Sequence, residues 1–277
     1  MKTQRPYKLA SFKLVVISLS LVFSHQIFAD FILTAPPRES LEKGQIYYGP
    51  IAKSLSKLIG KKIKYQQPRN WFDYSIKMRS GVYDIVFDGP HFASWRIENT
   101  KHLPVATLPG KLQFILFTDV NNKLMNNIVD LSDKVMCGML APNLATNIIM
   151  SEFQDPGRQP MIYESQGFSS VYRNFMEGEC HAAVLRNKAY YKLSKNDKSS
   201  IKIIHTTDAL PNQTITIGPK LKKYHKKISR YLTSADGARA ASKLLKRFSK
   251  NNPKFIEAKL NQYNDLEKLL KGSDSSW

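Results

Sequence analysis

Tyr83-Asp84-Ile85-Val86-Phe87-Asp88-Gly89-Pro90-His91-Phe92-Ala93-Ser94-Trp95-Arg96 is the stretch from which the fold can be read. Ile85, Val86 and Phe87 form a short apolar run, as expected of a strand buried on both faces. Asp88-Gly89-Pro90 then gives a turn signal, and proline suits the first position of a following helix. A buried strand that opens through Gly-Pro into a helix carries its last polar residues to the carboxyl edge of a sheet. In open α/β sheets that edge binds ligands. Asp88, His91, Trp95 and Arg96 crowd this one exit with a carboxylate, an imidazole, an indole and a guanidinium. The plainer reading of the same residues is an ordinary β–α junction, with Asp88 capping the helix and Trp95 in the core.

The alternation of strand and helix extends both ways from this point. Phe31–Thr34 and Lys62–Tyr65 read as strands. Tyr47-Tyr48-Gly49-Pro50 leads into a helix with Ile51, Leu55, Leu58 and Ile59 on one stripe, stopped by Gly60. Trp71–Arg79 is a second helix, Val105–Leu108 a strand, and Lys111–Val120 a longer extended segment able to run out of one domain toward another. The rhythm then restarts with strands at Met136–Leu140, Met161–Glu164, Cys180–Leu185 and Ile201–His205, and helices at Asn143–Phe153, Ser169–Met176 and Lys188–Leu193. Thr214–Ile217 follows, and after it only helices, through Ala241, Leu244, Leu245 and Phe248 to Ile256, Leu260 and Tyr263. Such alternation implies parallel sheets covered on both faces. Two runs joined by two extended segments predict an α/β chain of two lobes with the ligand between them.

The first residues stand apart. Lys2, Arg5, Lys8 and Lys13 are followed by the apolar run Leu14–Phe23 and by Ser24–Ala29, which ends in a small residue. This is the layout of a cleaved secretory signal over residues 1–29, and it predicts a periplasmic protein beginning near Asp30. No cysteine follows the apolar run for lipid attachment, and no later stretch is long and apolar enough to cross a membrane.

The formal charge of +20 falls to +16 without the four cations of that signal. For an exported chain, small anionic solutes or a membrane surface fit this balance better than nucleic acid. The late cations, Lys220 to Arg230 and Lys243 to Lys254, lie on amphipathic helices and read as a solvated outer face. Cys137 and Cys180 are the two cysteines; in an oxidising compartment they predict one disulfide between neighbouring strands. A loop of that length stabilises by roughly 4 kcal/mol in the chain-entropy account. Two thiolates do not make a metal site, and no cofactor is expected. A G-x-S-x-G elbow, a glycine-rich nucleotide loop and an H-E-x-x-H pair are all absent from the sequence, which argues against an enzyme.

The order Tyr48-Gly49-Pro50, Gly60, the Trp71 helix, Gly81 to Pro90 and Leu112 to Phe117 resembles the phosphonate-binding, PhnD-like periplasmic proteins of ABC transporters. Ala141-Pro142-Asn143-Leu144-Ala145-Thr146 and Gly178 to Val184 before Arg186 agree, so the likeness covers nearly the whole mature chain. It implies the type II periplasmic binding fold, with residues 30–115 and 206–277 in one lobe and 116–205 in the other. The resemblance implies a helix start that holds an oxyanion, here Asn143 to Thr146, a position that is physically sound because N–H groups and the dipole at a helix start favour anions. It also implies an aromatic contact at Tyr47 or Tyr48 and a contact at Gln166–Ser170, taken at Ser169. Asp88 and His91 at the Gly-Pro exit, and Arg186 at a strand end where it can pair bidentately with an oxyanion, complete the expected ligand set. The expected partners are a small anionic solute and an inner-membrane ABC permease, with the protein a monomer that binds no nucleic acid. A ligand-sensing subunit that docks on a membrane receptor is the alternative function.

Overall fold

A computed structural model describes residues 30–248 and 254–271; the expected signal segment 1–29 lies outside them. The first half runs β1 (Phe31–Thr34), α1 (Leu41–Ile59), β2 (Ile63–Tyr65), α2 (Trp71–Arg79), β3 (Ile85–Asp88), α3 (Pro90–Thr100), β4 (Leu103–Thr107) and the short β5 (Lys111–Leu112). It continues through β6 (Phe114–Asp119), β7 (Val135–Gly138), α4 (Leu144–Ser151), β8 (Met161–Glu164), α5 (Phe168–Met176) and β9 (Ala182–Arg186). Short helices α6 (Asn187–Tyr190) and α7 (Lys195–Ser199) lead to β10 (Ile201–Thr206), β11 (Leu210–Pro211) and β12 (Thr214–Ile217). Helices α8 (His225–Thr233), α9 (Ala235–Ala240) and α10 (Ser242–Phe248) follow, and the 3-10 helices Leu260–Tyr263 and Leu266–Leu270 close the series.

Two five-stranded sheets result, one ordered β2-β1-β3-β12-β4 and the other β10-β6-β9-β7-β8. Each is the centre of a lobe, with apolar clusters on its two faces. The chain crosses between them twice, and β5 and β11 pair antiparallel at the crossing.

The expectation of parallel sheets needs correction, because both sheets are mixed. β1, β2 and β3 pair parallel in the first sheet, and β7, β8 and β9 in the second. The strands next to the crossings run against them: β12 is antiparallel to β3 and β4, and β6 to β9 and β10. A strand arriving from the other lobe enters from the far edge, without the crossover helix that keeps successive strands parallel.

Two further elements differ from the sequence expectation. α1 begins at Leu41, well before Gly49-Pro50, because the Ser40 hydroxyl accepts the Lys43 N–H and starts the helix there. Pro50 then lies inside it at the cost of one backbone bond. Ile256 is not helical; its backbone bridges to Thr107 at the edge of the first sheet.

Cys137 and Cys180 are bonded. Cys137 lies in β7, and Cys180 precedes β9 rather than lying within it, with Cys137 registered against Ala183. The bridge closes a sequence separation of 43 residues. Replacing both cysteines by alanine is expected to lower unfolding free energy by about 4 kcal/mol, measured by urea denaturation of the oxidised protein against the double variant.

Candidate functional site

The carboxyl edges of both sheets face one cavity of ≈ 700 Å³ between the lobes. Arg38 follows β1, Gly89 and His91 follow β3, and Gln213 precedes the antiparallel β12, so all four reach the cavity from the first lobe. From the second lobe come Met139 to Leu144 after β7, Glu164 to Phe168 after β8, and Arg186 at the end of β9. This is the edge at which an α/β sheet leaves helix starts and loop residues available to a ligand.

Three helices begin on the cavity wall. The cap of α3 is Gly89 and that of α5 is Gly167, and neither has a side-chain cap; Asn143 caps α4, its side-chain oxygen accepting the Ala145 N–H. A β-carbon at Gly89 would lie 2.7 Å from His91 Cε1, so a side chain there would have to displace the buried His91 ring. Gly167 holds φ at +94°, a conformation that L side chains rarely adopt. Each helix start contributes partial positive charge and N–H donors.

The charged side chains on the wall are Arg38, Arg186, Arg247 and Glu164. Arg247 is engaged with Glu39 and lies over the rings of Tyr47 and Phe248 at 5.8 and 5.3 Å. Arg186 has no carboxylate partner among the described residues. Its Nη2 donates to the Asn212 side-chain oxygen at 3.3 Å, and its Nε is buried without a hydrogen-bond partner. Burial, and then the Arg38 charge, pull the Arg186 guanidinium down to about 10, still cationic at neutral pH. With Arg247 paired to Glu39, the cations Arg38 and Arg186 and three helix starts stand against the one wall carboxylate, Glu164, and make this a site for negative charge.

His91 contacts the second lobe directly, its Nε2 lying 3.2 Å from the Pro142 carbonyl oxygen. A carbonyl only accepts, so Nε2 carries the proton and Nδ1 is a bare acceptor, buried and unpartnered. Burial holds the imidazole at about 4, against the opposing pull of Asp88, so it is neutral.

Of the residues expected from the sequence, His91, Asn143 and Arg186 line the cavity. The others lie elsewhere, each for a packing reason. Tyr48 is 1% exposed and stacks on Tyr65 in the first-lobe core at 5.0 Å; Tyr47 is partly buried against that core beneath Arg247. Thr146 turns its hydroxyl back to the Met139 carbonyl. Ser169 lines a neighbouring cavity.

Asp88 is fully buried below the cavity floor and does not cap α3. Its carboxylate receives two hydrogen bonds from Arg96, at 2.8 and 2.6 Å, and one from the Tyr74 hydroxyl. Arg96, 1% exposed, also reaches Thr216 of β12 at 3.3 Å. The group thus fastens β3, α2, α3 and β12 together directly under the open end of α3.

Arg38, Gln213 and Arg247 are cavity residues that the sequence reading missed, whereas Phe168 falls within the expected stretch Gln166–Ser170. Arg38 follows Pro36-Pro37 at a strand exit, so the rule that found His91 could have found it. Arg247 looked like one more cation of a solvated helix, and Gln213 carried no signal of its own.

Residues 33–263 match the family of ABC-transporter phosphonate periplasmic substrate-binding proteins. The chain belongs to that family. Its members are the solute-capturing components of ABC importers, which work with a membrane permease. The fold is the two-lobed type II periplasmic binding fold. PhnD1 from Prochlorococcus marinus, in complex with methylphosphonate, is similar with a TM-score of 0.61 at 15% identity, covering 86% of this chain and 96% of that chain. A Xanthomonas citri protein solved with chloride ion and with ATP gives 0.66 at 13% identity, covering 87% and 95%. A binding component of an ABC phosphonate transporter from Pseudomonas aeruginosa gives 0.57 at 14%, covering 86% and 84%. No curated protein matches the chain. No helix among the described residues is long and apolar enough to cross a membrane, and no group of metal-binding side chains occurs among them.

Removing Arg96 would strand a fully buried Asp88 carboxylate. Arg96→Met is therefore expected to destabilise the protein by about 3–5 kcal/mol, whereas Arg96→Met with Asp88→Leu should recover much of that loss. Urea unfolding of the two variants measures both.

Proposed function

We propose that this family member captures a phosphorus oxyanion, phosphonate or phosphate, in the interlobe cavity and delivers it in the periplasm to an ABC permease. The observation that carries this reading is Arg186, a largely buried guanidinium on the cavity wall with an orphaned Nε and no acid to neutralise it. Leaving a buried cation uncompensated is costly, and an oxyanion supplies both the missing charge and the missing acceptor. The starts of α3, α4 and α5 around the same space supply donors suited to the remaining oxygens. The methylphosphonate complex of PhnD1 is a structural precedent for the same ligand class on this fold.

In this reading residues 30–115 and 206–277 form one lobe and 116–205 the other. The two crossings let them close, and the His91–Pro142 contact joins them over the ligand. Asn143 and His91 are ligand-contacting residues with Arg186, and the chemistry is non-covalent. A secretory signal over residues 1–29 delivers the protein to the periplasm, where it acts as a monomer and meets no nucleic acid.

Titration calorimetry against methylphosphonate, phosphate, 2-aminoethylphosphonate, sulfate and trehalose tests the reading. The phosphorus oxyanions should bind, and Arg186→Gln should weaken them by about tenfold or more, ~1.4 kcal/mol. The bound anion favours the protonated guanidinium, so affinity should hold at neutral pH and fall as pH rises through about 10. Binding of trehalose alone, unchanged by Arg186→Gln, would contradict the proposal.

A further inference from the structure

We infer that the natural ligand carries two separated anionic groups, one in the interlobe cavity and the second in an adjoining lysine-lined chamber. This rests on the reading of the interlobe cavity as an oxyanion site and narrows its substrate class to an elongated, doubly anionic organophosphorus compound.

The chamber has a volume of ≈ 780 Å³ and shares Phe168, Arg186, Arg247 and Phe248 with the cavity. Those four residues, two guanidiniums and two phenyl rings, therefore border both spaces, and the inferred ligand would run past them from one space to the other. Beyond it Lys188, Lys192 and Lys246 line the chamber, and no acidic residue does. None of these three lysines makes an ion pair among the described residues. Burial, then the charges of Arg186 and Lys192, hold the Lys188 ammonium below its ordinary value.

All three lysines are exposed, but they differ from a single solvated helix face in coming from separate elements. Lys188 is in α6, Lys192 follows that helix, and Lys246 is in α10, which belongs to the opposite lobe. Cations drawn from both lobes onto one concavity repel each other more as the lobes approach. An anion between them reverses the sign of that effect and makes closure favourable. Tyr172, Leu185, Ala189 and Leu193 give the same chamber an apolar lining, suited to the organic part of such a ligand.

Calorimetry with α,ω-alkyl bisphosphonates of four, six and eight methylenes, each paired with the monophosphonate of equal chain length, tests the inference. The wild-type protein should bind at least one bisphosphonate about tenfold or more tightly than its monophosphonate partner. Lys188→Gln/Lys192→Gln/Lys246→Gln should abolish that gain and leave monophosphonate affinity unchanged. The control Lys222→Gln/Lys226→Gln/Lys227→Gln, which removes equal charge from exposed positions outside the chamber, should retain the gain. Thermal melting of both variants establishes that they are folded. No gain in the wild type at any chain length, or a gain that survives the chamber variant or is lost equally in the control, overturns the second anionic subsite while the oxyanion reading stands. Failure of every mono- and bisphosphonate to bind overturns that reading as well.

Discussion

The buried pair Asp88–Arg96 is the interaction on which the rest of this site depends. Asp88 ends β3 and Arg96 lies in the body of α3, so their two hydrogen bonds clamp the helix back onto the strand it leaves. Tyr74 from α2 and Thr216 from β12 complete the contacts. Taking both charges out of water is expensive, and the pair is tolerable only because every lobe of the carboxylate that matters is met by a donor. What it secures is direction. With the helix fixed, its glycine-capped end can open onto the cavity only at one place and angle.

Above that clamp the electrostatic logic is reversed. Below the floor each buried charge has a partner; on the wall, Arg186 has none, and three helix starts add to its field. A protein that needed only to be stable would neutralise these groups internally. The contrast between a fully satisfied floor and an unsatisfied wall is what distinguishes a prepared anion site from an ordinary buried network. His91 stands at the boundary: neutral, anchored to the other lobe through Nε2, with a bare Nδ1 acceptor beside the open helix end.

The fold was legible from the sequence where local signals are strong. β3 and α3 follow directly from the apolar run and the Gly-Pro turn, α2 was placed over Trp71–Arg79, and the two cysteines meet, one in β7 and the other just before its neighbour β9. The mixed sheets were not legible, since strand direction depends on which lobe the chain arrives from, and that is a property of the whole path. The start of α1 was obscured because Pro50 outweighed the Ser40 cap. Within the site, residues at strand exits, His91, Asn143 and Arg186, were found because the exit itself is a sequence feature. Tyr48 and Asp88 were misplaced because burial depends on distant partners: Tyr65 for the ring, Tyr74 and Arg96 for the carboxylate. Arg247 was hidden for the converse reason, since it faces the interlobe cavity from within a run of cations that reads as a solvated face.

The central claim is that the interlobe cavity is completed by an anion. Mass spectrometry of small molecules released from protein purified natively, without added ligand, tests it most directly. The account predicts a phosphorus-containing anion, present in the wild type and depleted in Arg186→Gln. A neutral or cationic compound retained equally by both proteins would contradict it.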